Sequence, residues 1–176
     1  SATLHGAGQR APRPYGRKVL SAQNLSSGSM VRNTSFSVYA GQISGIFGLV
    51  GAGRTEMMKV VAGVIKRDLF YGGDVRLDGK QVRYRVPRQA VRDGIVYVTE
   101  DRKVEGFFET MSIAGNIQTG DEATGVNPLK IVSMSKARAL TKTWIEALSI
   151  RAIDGNARII ELSGGNQQKV VLAKSL

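Results

Sequence analysis

The sequence predicts an α/β fold, and the placement of its glycines and apolar runs supports this prediction. The apolar run 43–47 leads into the glycine-rich segment 48–53, and the run 57–64 then has the spacing of a helix with one apolar face. A second glycine-rich segment, 163–165, precedes another apolar run that predicts a helix. A strand, a glycine-rich loop and a helix in this order let backbone N–H groups surround a phosphate.

The first glycine-rich loop has the spacing of a P-loop, with two outer glycines five residues apart followed by a basic residue and a hydroxyl. Arg54 stands where lysine is usual, and a planar guanidinium reaches phosphate differently from an ammonium. Thr55 keeps the hydroxyl that would bind Mg²⁺. Glu56 either repels the phosphates beside it, or points to solvent or pairs with an arginine. The expected nucleotide contacts come from Gly48, Gly51, Ala52, Gly53, Arg54, Thr55 and Glu56.

The second motif precedes the last predicted helix and reads Leu162-Ser163-Gly164-Gly165-Asn166-Gln167-Gln168-Lys169. Two glycines after a serine allow a close approach of backbone N–H groups to a phosphate, and a helix N-terminus attracts anions. The alternative is an ordinary helix start capped by Ser163. The P-loop upstream favours the phosphate-binding interpretation.

These motifs, together with Glu100-Asp101-Arg102-Lys103, resemble those of one protein family. The chain is similar, over roughly residues 18–176, to the second, C-terminal nucleotide-binding domain of the ATPase subunit of bacterial monosaccharide ABC importers of the ribose, xylose, galactose and arabinose type. The resemblance implies a partial P-loop ABC ATPase domain with a core sheet, an antiparallel β layer and a helical subdomain. Asn166 stands where the ABC signature usually has glutamine.

The resemblance also implies roles for these residues. The P-loop would bind ATP and Mg²⁺, with Thr55 as a metal ligand, and the signature residues 162–167 would close in trans over ATP on a second ATPase domain. Glu100 would occupy the Q-loop position, where a carboxylate cannot donate a hydrogen bond. The implied partners are permease subunits and, indirectly, a periplasmic sugar-binding protein. The implied location is cytoplasmic, on the inner face of the membrane.

Four segments are expected along the chain: a linker at 1–17, a P-loop core with an antiparallel β subdomain at 18–100, a Q-loop and helical subdomain at 101–160, and the signature with its helix at 161–176. Within them, local patterns predict strands at 19–25, 36–39, 43–47 and 95–98, a hairpin at 72–82, and helices at 87–92 and 135–149. Trp144 lies on the apolar face of the last of these helices and is expected in the core.

Composition narrows the class of protein. The net charge of +11 and the pI of about 10.3 suggest nucleic-acid binding. However, the basic residues are scattered along the chain, and aromatic residues make up only 6% of it. No specific nucleic-acid partner is therefore expected. The chain has no cysteine and one histidine, His5, which argues against a zinc site.

In the family that the chain resembles, adenine often stacks on an aromatic ring in the segment that corresponds to 26–30. This segment has no aromatic residue here, and Tyr15 is a weak substitute.

Several family motifs are not found after the signature. Walker B, the general-base glutamate, the D-loop and the switch histidine would follow it, and His5 is wrongly placed for the last. We therefore expect the 176-residue chain alone not to hydrolyse ATP. It would be a shortened chain, a proteolysis product, or a chain that associates to cover an exposed sheet edge. Two alternative functions are a regulatory module that binds nucleotide without turnover and, with weaker support, a basic nucleic-acid-binding domain of the ABC type.

Overall fold

The computed structural model describes residues 16–124, 134–152 and 154–176. His5 and Tyr15 therefore lie outside the described residues. The same holds for the expected linker 1–17, apart from its last two residues. The strands are β1 Lys18–Ser27, β2 Val31–Tyr39, β3 Asp74–Leu77 and β4 Lys80–Gln81. The α-helices are α1 Arg54–Val61, α2 Pro87–Arg92, α3 Ile113–Thr124, α4 Met134–Ala147 and α5 Gly164–Ser175. A π-helical turn, Arg102–Gly106, and a 3-10 turn, Ile159–Glu161, complete the elements.

The four strands form one antiparallel sheet in the order β2-β1-β3-β4. In β1, Ala22 pairs with Phe36 of β2 on one side and with Val75 of β3 on the other. Ala22, Leu25 and Val75 are buried, so one side of the sheet carries apolar side chains away from water. The antiparallel β layer expected from the sequence is thereby confirmed.

The turn between β3 and β4 was predicted correctly because its residues specify it. Asp78 and Gly79 both have positive φ, +49° and +80°, as the tightest two-residue hairpin turns require. The helix at Pro87–Arg92 is also confirmed, with proline in its first turn. Gly94 follows it at φ +85°, which L-residues with side chains rarely adopt.

The chain divides into two compact units. One contains the chain up to Met57 together with Arg67–Arg83, and hence the sheet and the glycine-rich loop. The other contains Met58–Lys66 and Tyr84–Leu176, and hence α2 to α5. The four segments expected from the sequence stay a prediction.

The second unit is organised around an apolar core formed mainly by α3 and α5. Ile113, Ile117, Ile159 and Val170 are almost fully buried there. From α4, Leu140 and Trp144 pack against this core, as do Ile145 and Leu148 next to them. The predicted helix at 135–149 and the core position of Trp144 are both confirmed.

Two predicted strands are wrong. Residues 42–49 form neither helix nor strand, and the side chains of Ile43 and Phe47 are 102% and 94% exposed. Residues 95–99 also form no strand, and Val96 and Val98 are partly exposed. Strands buried in a parallel sheet need hydrogen-bonding neighbours on each side. Within the part of the chain that the structure describes, all strand pairing belongs to the antiparallel sheet, so neither run has such a neighbour.

Candidate nucleotide-binding site

The glycine-rich loop lies in the first unit and has the backbone of a tight turn that opens into α1. Gly51 and Gly53 adopt φ of +81° and +72°. The N–H of Ala52 donates to the carbonyl of Leu49 at 3.1 Å, and the N–H of Met57 donates to the carbonyl of Gly53 at 2.8 Å. The loop therefore ends where the helix begins, and the helix N-terminus adds partial positive charge to it.

Gly53 lies against the turn between β1 and β2. A Cβ atom at this position would be 2.3 Å from the carbonyl oxygen of Met30. The segment 26–30, where the sequence offers no aromatic ring for adenine, is therefore next to the glycine-rich loop 48–53. Met30 is half exposed there.

Arg54, Thr55 and Glu56 form the first turn of α1. Arg54 is exposed, and its side chain turns back so that Cδ would be 3.3 Å from a Cβ at Gly48. Thr55 and Glu56 are half-buried. Among the described residues Glu56 forms no ion pair, so the alternative in which it pairs with an arginine is not seen there. An acidic side chain in the first helical turn is stabilised by the helix dipole.

The segment after Glu100 forms the π-helical turn in the second unit. Asp101 precedes the turn, and its Oδ1 accepts hydrogen bonds from the N–H groups of Lys103 and Val104 at 3.1 and 3.2 Å. Glu100 is exposed. The Asp101 carboxylate therefore fixes the backbone immediately after Glu100, the expected Q-loop residue.

Glu105 ties this turn to the C-terminal part of α1. Its Oε1 accepts a hydrogen bond from Lys59 Nζ at 2.6 Å, and its Oε2 accepts one from Thr99 Oγ1 at 3.0 Å. The bond from Lys59, and next the bond from Thr99, hold the pKa of Glu105 below its usual range. The carboxylate is thus kept ionised and oriented towards α1.

Arg102 connects the same turn to the signature motif. Its Nε donates to Gln167 Oε1 at 3.3 Å, and Gln167 Nε2 donates to the carbonyl of Ile159 at 3.3 Å. Gln167 is buried. A Cβ atom at Gly164 would be 2.8 Å from an Arg102 terminal nitrogen, so the glycine leaves room for the guanidinium. The Q-loop segment and the signature are therefore in direct contact.

The signature serine starts α5 but does not cap it. Ser163 occupies the N-cap position and is exposed, yet its side chain accepts no hydrogen bond from the first helical N–H groups. Its Oγ instead accepts a hydrogen bond from Asn166 Nδ2 at 3.1 Å. The interpretation of 163–165 as an ordinary capped helix start is therefore not supported.

The structure brings the predicted residues together in two groups. Residues 48–56, which form the glycine-rich loop and the first turn of α1, lie in the first unit, while Glu100 and the signature 162–167 lie in the second. Sequence reasoning missed the Arg102–Gln167 and Lys59–Glu105 contacts. These pairs are 65 and 46 residues apart, and no local pattern connects residues so distant in sequence.

A family model for ABC transporters matches residues 31–176. The chain belongs to the ABC transporter family. The match contains the glycine-rich loop 48–53, the segment 100–103 and the motif 162–169, so the family expected from these motifs is confirmed.

Curated relatives within this ABC family are sugar import proteins. An arabinose import ATP-binding protein of Burkholderia cenocepacia is 40% identical over 93% of this chain. Ribose import ATP-binding proteins of Clostridium tetani and Geobacillus kaustophilus are 38% and 40% identical over 90% and 96% of it. The chain spans about a third of the length of these relatives, 31%, 31% and 34% respectively.

Solved structures show the same fold. A nucleotide-free ATP-binding cassette from an ABC transporter superposes with a TM-score of 0.73 at 22% identity, over 91% of this chain and 65% of that one. A dimeric cassette in a post-hydrolysis state with ADP and Pi gives a TM-score of 0.69 at 18% identity, over 89% and 68%. The partial ABC ATPase fold expected from the sequence is confirmed. Among the described residues, no helix has the length and apolar character to cross a membrane.

Proposed function

We propose that this chain supplies a nucleotide-binding part of a monosaccharide importer and couples ATP binding and hydrolysis to sugar uptake. The observation that carries the proposal is the identity of about 40%, over nine tenths of the chain, to arabinose and ribose import ATP-binding proteins. Permease subunits and a second ATPase domain are its proposed direct partners at the inner face of the membrane. A periplasmic sugar-binding protein acts with it indirectly.

The phosphate loop is the proposed site for ATP and Mg²⁺. Positive φ at Gly51 and Gly53 turns the backbone at the start of α1, where N–H groups and the helix dipole favour a phosphate. Thr55 supplies the hydroxyl for Mg²⁺, and the exposed Arg54 supplies a positive charge in place of the usual lysine. These are the residues through which the chain would bind its own nucleotide.

The signature is the proposed site for a second ATP, held by the P-loop of the partner ATPase domain. Ser163 and Gly165 are exposed at the beginning of α5, where a phosphate would meet a hydroxyl and unpaired helix N–H groups. Glu100 and the turn after it are the proposed permease-coupling segment. Its contact with the signature through Arg102 supports transmission between permease and ATP.

Calorimetric titration with Mg²⁺ and a non-hydrolysable ATP analogue tests the loop. We expect micromolar affinity in the 176-residue chain, and a loss of about tenfold or more in Thr55→Ala and in Arg54→Ala because each removes a charge-assisted contact. Thr143→Ala and Arg138→Ala, both exposed on α4, are matched controls. A folded sample that gives no heat up to millimolar analogue contradicts nucleotide binding by this loop.

The second candidate function is a module that binds nucleotide or the permease without turnover. It is favoured by Arg54, which stands where lysine is usual, and by Glu56, whose carboxylate would repel a phosphate beside it. We propose that the isolated chain releases no phosphate from ATP. Phosphate release that Thr55→Ala abolishes would contradict this part of the proposal.

A further inference from the structure

Asn166 holds the signature serine in an unusual way. It is the third residue of α5, three positions after Ser163, and a side chain at this position often reaches back to the N-cap backbone. Here the amide nitrogen of Asn166 reaches the N-cap side chain instead, 3.1 Å from Ser163 Oγ. The serine hydroxyl is therefore positioned by a neighbour and not by the helix N–H groups.

The orientation of the Asn166 amide is fixed by a second contact. The backbone N–H of Arg151 lies 3.0 Å from Asn166 Oδ1. Because a backbone N–H can only donate, the amide oxygen must face Arg151 and the amide nitrogen must face Ser163. Ser163 Oγ consequently acts as an acceptor in this contact.

This arrangement determines what the serine can offer to a ligand. A hydroxyl has one hydrogen to donate and two lone pairs. Asn166 takes up a lone pair, and the hydroxyl hydrogen has no acceptor among the described residues. Since Ser163 is exposed, that hydrogen is available to an anion at the start of α5.

We propose that Asn166 is a positioning residue that commits the Ser163 hydroxyl to donating to the terminal phosphate of ATP bound by the partner P-loop. This inference rests on the proposed function of the signature. The usual glutamine at this position is one methylene longer and would have to fold back to make the same two contacts. Asparagine therefore suits the 3.0 and 3.1 Å distances to Arg151 and Ser163.

A double-mutant cycle on the assembled importer tests the inference. The apparent affinity for the β,γ-imido analogue of ATP with Mg²⁺ is measured for Ser163→Ala, Asn166→Ala and the double variant. We expect each single variant to weaken binding about tenfold, which is 1.4 kcal/mol. We expect the double variant to be no weaker than either, because Asn166 acts only through the serine hydroxyl.

Asn166→Asp provides a variant that keeps the fold. One carboxylate oxygen still accepts from Arg151, while the other accepts the Ser163 hydroxyl hydrogen and places a negative charge beside the phosphate. We expect a larger loss than in Asn166→Ala. Asn156→Asp, an exposed asparagine with the same change in charge, is the control and should retain affinity.

The outcomes separate this inference from the proposed function. If Ser163→Ala leaves affinity unchanged, the signature does not bind the phosphate through its serine, and that part of the proposed function fails. A second outcome is that Ser163→Ala weakens binding, and that Asn166→Ala weakens it by the same factor in the unsubstituted protein and in the Ser163→Ala variant. The proposed function then stands, and the positioning role of Asn166 is overturned. Asn166→Asp that binds as well as the unsubstituted protein also overturns the positioning role.

Discussion

Gly53 is constrained in two ways, by its positive φ and by the Met30 carbonyl next to it. We predict that Gly53→Ala destabilises the protein more than Gly51→Ala. Both substitutions force alanine into left-handed backbone, at about 1–2 kcal/mol, but only Gly53→Ala also drives a Cβ to 2.3 Å from a backbone oxygen, whereas a Cβ at Gly51 meets no atom within 4 Å. Urea unfolding measures both losses; equal losses would contradict the close approach of loop and turn.

At the scale of elements, α3 and α5 pack so closely that a helical glycine is required between them. A Cβ at Gly120 would be 1.8 Å from the carbonyl oxygen of Lys174. We predict that Gly120→Ala lowers the free energy of unfolding by about 2 kcal/mol or more, since backbone must move apart to admit the methyl group. Calorimetric melting should show a lower Tm, by roughly 2–4 °C per kcal/mol for a chain of this size.

Gly115→Ala is the matched control on the same helix. The nearest atom to its added Cβ is the tip of Met111, at 3.0 Å, which can rotate away. Alanine also favours a helix over glycine by about 1 kcal/mol, so we expect an unchanged or higher Tm. A Gly120→Ala variant as stable as Gly115→Ala would mean that α3 and α5 are farther apart than in the structure.

The turn at Arg102–Gly106 should make stability depend on pH through Glu105. Lys59 and then Thr99 hold the pKa of this carboxyl below its usual range. A lowered folded-state pKa stabilises the fold above the unfolded-state pKa, about 4.3, and this stabilisation is lost as pH falls through the folded-state value. We predict a contribution of no more than about 1 kcal/mol, because the carboxylate is partly exposed.

Urea unfolding between pH 7 and pH 2 measures this contribution as the difference between the protein and Glu105→Gln. The difference should be largest at neutral pH and vanish at the acid end. Glu146→Gln, in the exposed Lys142–Glu146 pair on α4, is the control and should change little at any pH. A Glu105→Gln variant that unfolds like the unsubstituted protein at pH 7 would contradict a stabilising role for the Lys59 contact.

For the whole molecule, the sequence predicted best what depends on neighbouring residues. The Asp78-Gly79 hairpin, the proline-initiated α2 and the apolar face of α4 each follow from local patterns and were confirmed. The runs 43–47 and 95–98 were misjudged because their apolar composition describes a strand with neighbours on both sides. In the candidate site, the glycine-rich loop and the signature are recognisable as sequence motifs. The Asn166–Ser163 contact is not, because the backbone N–H of Arg151 orients the Asn166 amide, and no local pattern predicts where Arg151 lies.

The exposed run 43–47 leads to a prediction about the chain as a whole. Ile43 and Phe47 bury almost no surface in this structure, so Ile43→Lys and Phe47→Lys should each change the free energy of unfolding by less than about 0.5 kcal/mol. Both should raise solubility, since they break up exposed apolar surface. The matched variant Ile117→Lys places a charge in the buried core of the second unit and should prevent stable folding.

Chemical unfolding and the concentration at which each variant precipitates measure these effects. If Phe47→Lys is as destabilising as Ile117→Lys, the run 43–47 is buried in solution, which requires a strand neighbour in a second chain or in the same one. Sedimentation at several protein concentrations then separates the two cases, because burial against a second chain falls with dilution and burial within one chain does not. Because the run 43–47 is exposed, we expect the stability to change neither with these two lysine substitutions nor with the protein concentration.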